Sequence, residues 1–255
     1  MREPRKVRRP LTASAAAVLA ICPLITGCAD AVSHAAQSSA VVPEGRPPVV
    51  MFLGDSFTVG SGPVAEWDTY AAGTARALGW QLITAGGAGT GYVARGRVGR
   101  TFEQSFARQL AWRPTPDLIV VSGGHNDRRA RPSTVREAVL RLVGEVRERW
   151  PLAKIVLVGP IWIDTAPQAA YRTRDAIAGA AWLAGVPFLD PLPQQWIKGD
   201  RSRVLLSDGV HPTLYGHLRL AHWLAGTLRA RGLAGDSAAP SALTGPEWSW
   251  GSHSS

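Results

Sequence analysis

Residues 49–60 run Val49-Val50-Met51-Phe52-Leu53-Gly54-Asp55-Ser56-Phe57-Thr58-Val59-Gly60, and their reading decides the fold. The unbroken apolar run 49–53 suits a strand buried on both faces, and the Gly-Asp-Ser after it interrupts the run where a parallel strand would end. Ser56 is thereby placed at a strand's carboxyl end, which is where open α/β sheets bind their ligands, so it is a candidate nucleophile. Alone, Gly-Asp-Ser is also ordinary turn chemistry. The segments downstream give it weight.

Working outward, strands and helices alternate. A helical pattern over 65–78 ends at Gly79. A short strand at 81–84 runs into Ala85-Gly86-Gly87-Ala88-Gly89-Thr90-Gly91-Tyr92. A second apolar strand at 117–122 leads into Gly123-Gly124-His125-Asn126-Asp127. A strong helix begins at Ser133 and stops at Pro151; strands follow at 155–158 and 187–189, with a helix at 169–184 between them. An amphipathic helix over 214–231, closed by Gly232, completes the domain. This alternation predicts an α/β domain with a parallel central sheet covered on both faces.

The remaining chain divides into tails. Residues 5–9 are basic, 11–24 form a small-residue apolar stretch too short to span a bilayer comfortably, and Ile25-Thr26-Gly27-Cys28 follows. Residues 1–27 therefore read as an export signal, and the last four of this stretch resemble the bacterial lipobox, whose cysteine is acylated and heads the mature chain. Arg8-Arg9 also matches part of a twin-arginine signal. Residues 28–47, rich in Ala, Ser, Val and Pro, read as a lipidated N-terminus and tether; 48–233 form the domain; 234–255, with Trp248 and Trp250, form a flexible tail. The expected location is the outer face of the membrane, held by the anchor alone, or the exterior.

Composition narrows the function. The 255 residues are 45% hydrophobic and 18% charged, enough for one substantial core. Of the formal charge of +9, the signal accounts for +4, and the rest is dispersed without an aromatic-interleaved basic block, which argues against nucleic-acid binding. The two cysteines are Cys22, inside the signal, and Cys28, so the domain has none to form a disulfide. A monomer is expected.

Three further segments carry chemistry. The glycine-rich stretch 86–91 lacks both the Gly-x-Gly-x-x-Gly register and the following acidic residue of a dinucleotide site. Its glycines instead allow close backbone approach to a ligand. Asn126 adds an amide donor on the same sheet edge, and a serine N–H, a glycine N–H and this amide together would make an oxyanion hole. Near the end, Asp208-Gly209-Val210-His211-Pro212 puts a carboxylate three residues before an imidazole, ahead of the last helix. Of the six histidines, His211 is best placed as a base and Asp208 as its orienting partner.

Taken in order, Gly54-Asp55-Ser56, the glycine block around Gly89, Gly124-His125-Asn126-Asp127 and Asp208-Gly209-Val210-His211-Pro212 resemble the four blocks of the SGNH (GDSL-type) hydrolase family. The resemblance implies a flavodoxin-like three-layer α/β/α sandwich with Ser56 as nucleophile, His211 as base and Asp208 orienting it. It further implies an oxyanion hole of the Ser56 N–H, the Gly89 N–H and the Asn126 side chain. Thr84 departs from the asparagine many members carry at the second block, and Gly86 and Gly87 stand close enough to compete with Gly89. An ordinary α/β-hydrolase elbow is disfavoured, since Thr58 occupies the last position of Gly-x-Ser-x-Gly.

The expected activity is a serine esterase acting on small-molecule, glycan or lipid esters, with no metal or organic cofactor. Transfer of the acyl group to a sugar or lipid hydroxyl is the alternative, a lipase a lesser one, and a carbohydrate-binding protein with a dead site is disfavoured by the intact Ser56, Asn126, Asp208 and His211. Pocket walls are expected from 93–102 and 162–171. Because these segments carry Arg95, Arg97, Arg100, Asp164, Gln168 and Arg172, short acyl groups on a polar, acidic carrier are expected over aggregated lipid.

Overall fold

The computed structural model describes residues 45–60 and 63–235. The expected signal peptide, Cys28, the tether up to residue 44 and the tail beyond residue 235, with Trp248 and Trp250, lie outside the described residues. Within them no helix is long and apolar enough to cross a membrane.

Five strands form one parallel sheet: β1 Val49–Gly54, β2 Gln81–Gly86, β3 Leu118–Ser122, β4 Lys154–Val158 and β5 Phe188–Leu189. Their order is β2-β1-β3-β4-β5, the doubly wound order of flavodoxin-like sheets. β1 lies in the interior, with Phe52 in register with Thr84 on one side and Val120 on the other. Its Val50, Met51, Phe52 and Leu53 are buried, which is why the stretch shows no polar alternation. β2, at the edge, keeps Gln81 exposed.

Helices cover both faces. α2 Tyr70–Leu78 and α6 Leu214–Ala230 pack together on one, over Val50, Phe52, Val120 and Val156. α4 Pro132–Arg149 and α5 Gln168–Ala184 pack together on the other, over Met51, Leu53, Ile119 and Leu157. Successive strand residues feed opposite layers, so each strand serves two cores. Two very short helices, α1 Ser56–Val59 and α3 Phe102–Ser105, follow the carboxyl ends of β1 and β2.

Several boundaries differ from the sequence expectation. The pattern over 65–78 is a 3₁₀ turn, Glu66–Asp68, followed by α2, because Thr69 stops the first and caps the second, its Oγ1 accepting the Ala72 N–H. β2 runs on to Gly86, held by pairing with β1. Residues 102–110, expected as loop at their start, are α3 continuing into a π-type turn, Phe106–Leu110, anchored where Phe106 meets the fully buried Trp150 edge-on at 5.2 Å.

Candidate active site

The site forms at the carboxyl edge of the sheet. Asp55, directly after β1, turns the chain into α1: its Oδ1 accepts the Phe57 N–H at 3.0 Å and its backbone carbonyl accepts from Thr58. Ser56 is thus the first residue of α1, and its N–H, with no preceding turn to bond to, has no acceptor among the described residues. Its side chain is nearly buried.

The loop before α6 brings the base. Leu206 N–H bonds the His211 carbonyl at 2.8 Å and Thr213 N–H bonds that of Val204 at 2.9 Å, closing a narrow loop. Within it, Asp208 Oδ1 accepts the N–H groups of Val210 and His211 at 2.9 and 3.0 Å. Asp208 Oδ2 lies 2.6 Å from His211 Nδ1. A carboxylate can only accept from Nδ1–H, so Nε2 carries the lone pair and faces the Ser56 hydroxyl at 2.9 Å. Burial alone would raise the Asp208 carboxyl, but the His211 ring and the two N–H groups bring it down to about 2. Phe57 packs its ring edge-on against His211 at 5.5 Å.

Three candidate donors line the same cavity of about 520 Å³: Ser56, Gly89 and Asn126. The Gly89 N–H has no acceptor among the described residues, whereas the N–H groups of its rivals are engaged, Gly86 with Gln109 Oε1 and Gly87 with the Gly54 carbonyl. Asn126 Nδ2 donates to the Thr90 carbonyl at 2.9 Å and reaches Asp55 Oδ2 only at 3.4 Å. The second amide hydrogen is therefore weakly held. Asn126 ties the glycine loop to the β3 edge through the first.

Two carboxylates that sequence reasoning passed over support this geometry. Asp127, buried, accepts three consecutive backbone N–H groups, those of Tyr92, Val93 and Ala94, at 2.9, 2.9 and 2.8 Å. It fixes the segment leaving the glycine loop. Asp55 is buried beneath the nucleophile, and burial pushes its carboxyl up to about 7, partly offset by the Phe57 N–H while the Asp127 charge pushes the same way. His125, which the sequence places near a strand end but behind His211 as a base, also lines the cavity. Its ring stacks on Trp162 at 4.1 Å, and burial lowers its pKa. The one signal for Asp127 was its place after Asn126.

The expected walls are half right. Gly96 and Arg97 come from 93–102, but 162–171 contributes none of the cavity lining. Ile163 is buried in the core, Trp162 lies against His125, and Asp164 is held by Arg201 at 2.8 Å, so this segment is drawn away from the cavity. Pro63, Leu206 and Val210 line it in addition. Among the described residues no cluster of three or more His, Cys, Asp or Glu side chains is placed to hold a metal ion.

A doubly wound parallel sheet bearing a hydroxyl, an imidazole and a carboxylate in hydrogen-bonded sequence at its ligand edge defines a hydrolase of the acyl-transfer type. The chain belongs to the GDSL-like lipase/acylhydrolase family, whose model matches residues 52–219. It is 32% identical over 194 residues to a GDSL lipase of Mycobacterium tuberculosis, covering 69% of this chain and 79% of the relative. Its fold is similar to that of a lipase/acylhydrolase from Enterococcus faecalis, with TM-score 0.58 and 18% identity over 72% of this chain and 96% of that one. It is also similar to a family two carbohydrate esterase from Clostridium thermocellum, solved with cellohexaose, with TM-score 0.60 and 18% identity over 74% of this chain and 66% of that one.

Proposed function

We propose that this ester hydrolase works through an acyl-enzyme on Ser56. The observation that carries the reading is the continuous chain from Ser56 Oγ to His211 Nε2, and from His211 Nδ1 to Asp208 Oδ2, at 2.9 and 2.6 Å. His211 takes the Ser56 proton as the hydroxyl attacks the ester carbonyl. Asp208 holds the ring in the productive tautomer and offsets the positive charge it acquires. The developing oxyanion draws on the Ser56 and Gly89 N–H groups and on the loosely held second hydrogen of Asn126. His211 returns the proton to the departing alcohol, then activates the water that releases the acyl group.

A fluorophosphonate probe tests this directly. It should add one phosphonyl group, located on Ser56 by peptide mass, and abolish hydrolysis of 4-nitrophenyl acetate; Ser56→Ala should take no label and lose activity while melting as a folded protein. Full activity in Ser56→Ala would overturn the assignment.

The substrate reading is a short acyl group on a polar carrier, supported by the polar lining of Ser56, Arg97, Asn126, Asp208 and His211. A second reading, a lipase, is favoured by one feature: Val210 on the cavity wall and Leu214, Tyr215 and Leu218 on the first turns of α6 are exposed together just beyond His211. A series of 4-nitrophenyl esters separates the two. Rates falling beyond butyryl support the first, and rates rising to palmitoyl with activation at a lipid interface support the second. For location, the proposal is export and acylation at Cys28. Membrane partition of the full chain, lost in Cys28→Ser, supports it, and an unmodified mature N-terminus beyond Cys28 refutes it.

A further inference from the structure

We propose that Arg97 selects esters carrying an anionic group, of carboxylate or phosphate type, within one side-chain length of the scissile bond; this rests on the esterase reading above. The position of Arg97 is set by the turn that carries it. Residues 95–99 fold back onto the glycine loop: Thr90 and Arg95 pair as an antiparallel bridge, the Gly91 N–H bonds the Ala94 carbonyl at 2.9 Å, and the Arg100 N–H bonds that of Arg95 at 2.9 Å. Gly96 lies so close to the oxyanion loop that a Cβ there would stand 2.3 Å from the Ala88 carbonyl oxygen and 2.8 Å from Gly89 C. Its φ of +56° is one that side chains rarely adopt. The next residue is Arg97, so its backbone is held beside the Gly89 donor.

Three nearby arginines, Arg95, Arg128 and Arg201, are already engaged. Arg95 donates to the Gly99 carbonyl and to Gln104 Oε1, both at 3.1 Å. Arg128 donates to the His125 carbonyl at 3.2 Å and lies over the Trp162 ring. Arg201 is paired with Asp164. Arg97 is exposed, lines the cavity, and has no hydrogen bond or ion pair among the described residues. The carboxylates sharing that lining are committed elsewhere: Asp55 is buried and caps α1, and both oxygens of Asp208 are occupied by His211 and Val210. The cavity therefore offers an incoming substrate a free guanidinium, whose planar fork matches a carboxylate or phosphate.

The test compares esters that differ by one anion. Phenyl acetate is set against 4-acetoxybenzoate and 4-acetoxyphenyl phosphate, which carry a carboxylate or a phosphate on the alcohol side; 4-nitrophenyl butyrate is set against the 4-nitrophenyl monoester of succinic acid, which carries it on the acyl side. The wild-type enzyme should favour the anionic member on one side. Arg97→Ala should lower kcat/KM for the anionic member about tenfold relative to the neutral member, chiefly through KM. Arg97→Lys should retain part of the preference, Arg97→Glu should reverse it, and added salt should weaken it in the wild type. An anionic-to-neutral ratio identical in wild type and Arg97→Ala overturns the inference while leaving the esterase reading intact. Absence of turnover on every ester of the panel, neutral and anionic, overturns the esterase reading, and the inference with it.

Discussion

At the scale of single residues, the site separates groups that act on the ester from groups that place them. Asn126→Ala removes an oxyanion donor and should lower kcat by about 10²- to 10³-fold. Asp208→Ala should cost less than His211→Ala, since the ring keeps its contact with Phe57 and its own backbone place in the loop. Asp127 shows the second kind of role. With one oxygen instead of two equivalent ones, Asp127→Asn cannot hold the N–H groups of Tyr92, Val93 and Ala94 as the carboxylate does. The expected result is a fall in kcat of roughly 10- to 100-fold with little change in KM, because a small displacement of a donor weakens the transition state more than the ground state. Steady-state kinetics on one short ester check all four variants. Ser56, Asp208 and His211 were legible in the sequence because short local spacings and strand ends announce them. Asp127 was not, because a carboxylate that serves backbone N–H groups 33 to 35 residues away has no local pattern; Asp55 was not, because its bond to the Phe57 N–H reads as ordinary turn chemistry and its burial depends on distant packing.

At the scale of elements, α6 couples stability to the site. Thr213 Oγ1 accepts the Gly216 N–H at 3.1 Å at the start of the helix, two residues after His211. Thr213→Ala should destabilise the domain by about 1 kcal/mol, lowering the melting temperature by about 2–4 °C for a domain of this size. It should also weaken catalysis by loosening the His211 loop. Thr213→Ser should restore both, and calorimetry alongside the ester assay decides it. The same helix shows what sequence patterns capture: its apolar residues Leu220, Leu224 and Leu228 recur every four positions and are all buried, so its extent was legible to within one residue. Residues 102–110 failed the same test. Four helical residues followed by a π-type turn never complete a 3.6-residue repeat, and what holds them is the distant Trp150. The break at Thr69 was likewise hidden, because a 3₁₀ turn and the α-helix after it present one continuous apolar face.

At the scale of the whole molecule, the alternation of strands and helices foretold a parallel sheet with two covered faces, but not its order, since each crossover can place the next strand on either side; family resemblance supplied that. Two buried titrating groups, Asp55 at the carboxyl end of β1 and His217 on α6, oppose each other. Asp55, beneath Ser56 and facing Asp127 and His211, is raised by burial from 3.8 to about 7. Between those values the folded protein keeps a proton that the unfolded chain releases, so this group's contribution to stability falls as pH rises. His217, buried between α6 and α2, accepts the Tyr70 N–H at 3.1 Å on Nδ1. Burial lowers its pKa from 6.5 to about 4, with the His211 charge acting the same way. The unfolded chain therefore takes up a proton that the fold refuses, and this contribution is lost as pH falls from 6.5 to 4. His125 is displaced in the same direction. The two larger shifts correspond to about 4 kcal/mol for Asp55 and about 3 kcal/mol for His217, and between pH 4 and 6.5 their opposite slopes largely cancel in the wild type. Asp55→Asn, which keeps an oxygen for the Phe57 N–H, should unmask the histidines, and its melting temperature should drop as pH falls through that window. His217→Gln, which keeps an acceptor for Tyr70, should show the reverse, melting lower as pH rises from 4 to 7. Melting scans of the three proteins from pH 4 to 8 check this, and slopes in both variants equal to the wild type's would refute the assignment of buried neutral groups at positions 55 and 217.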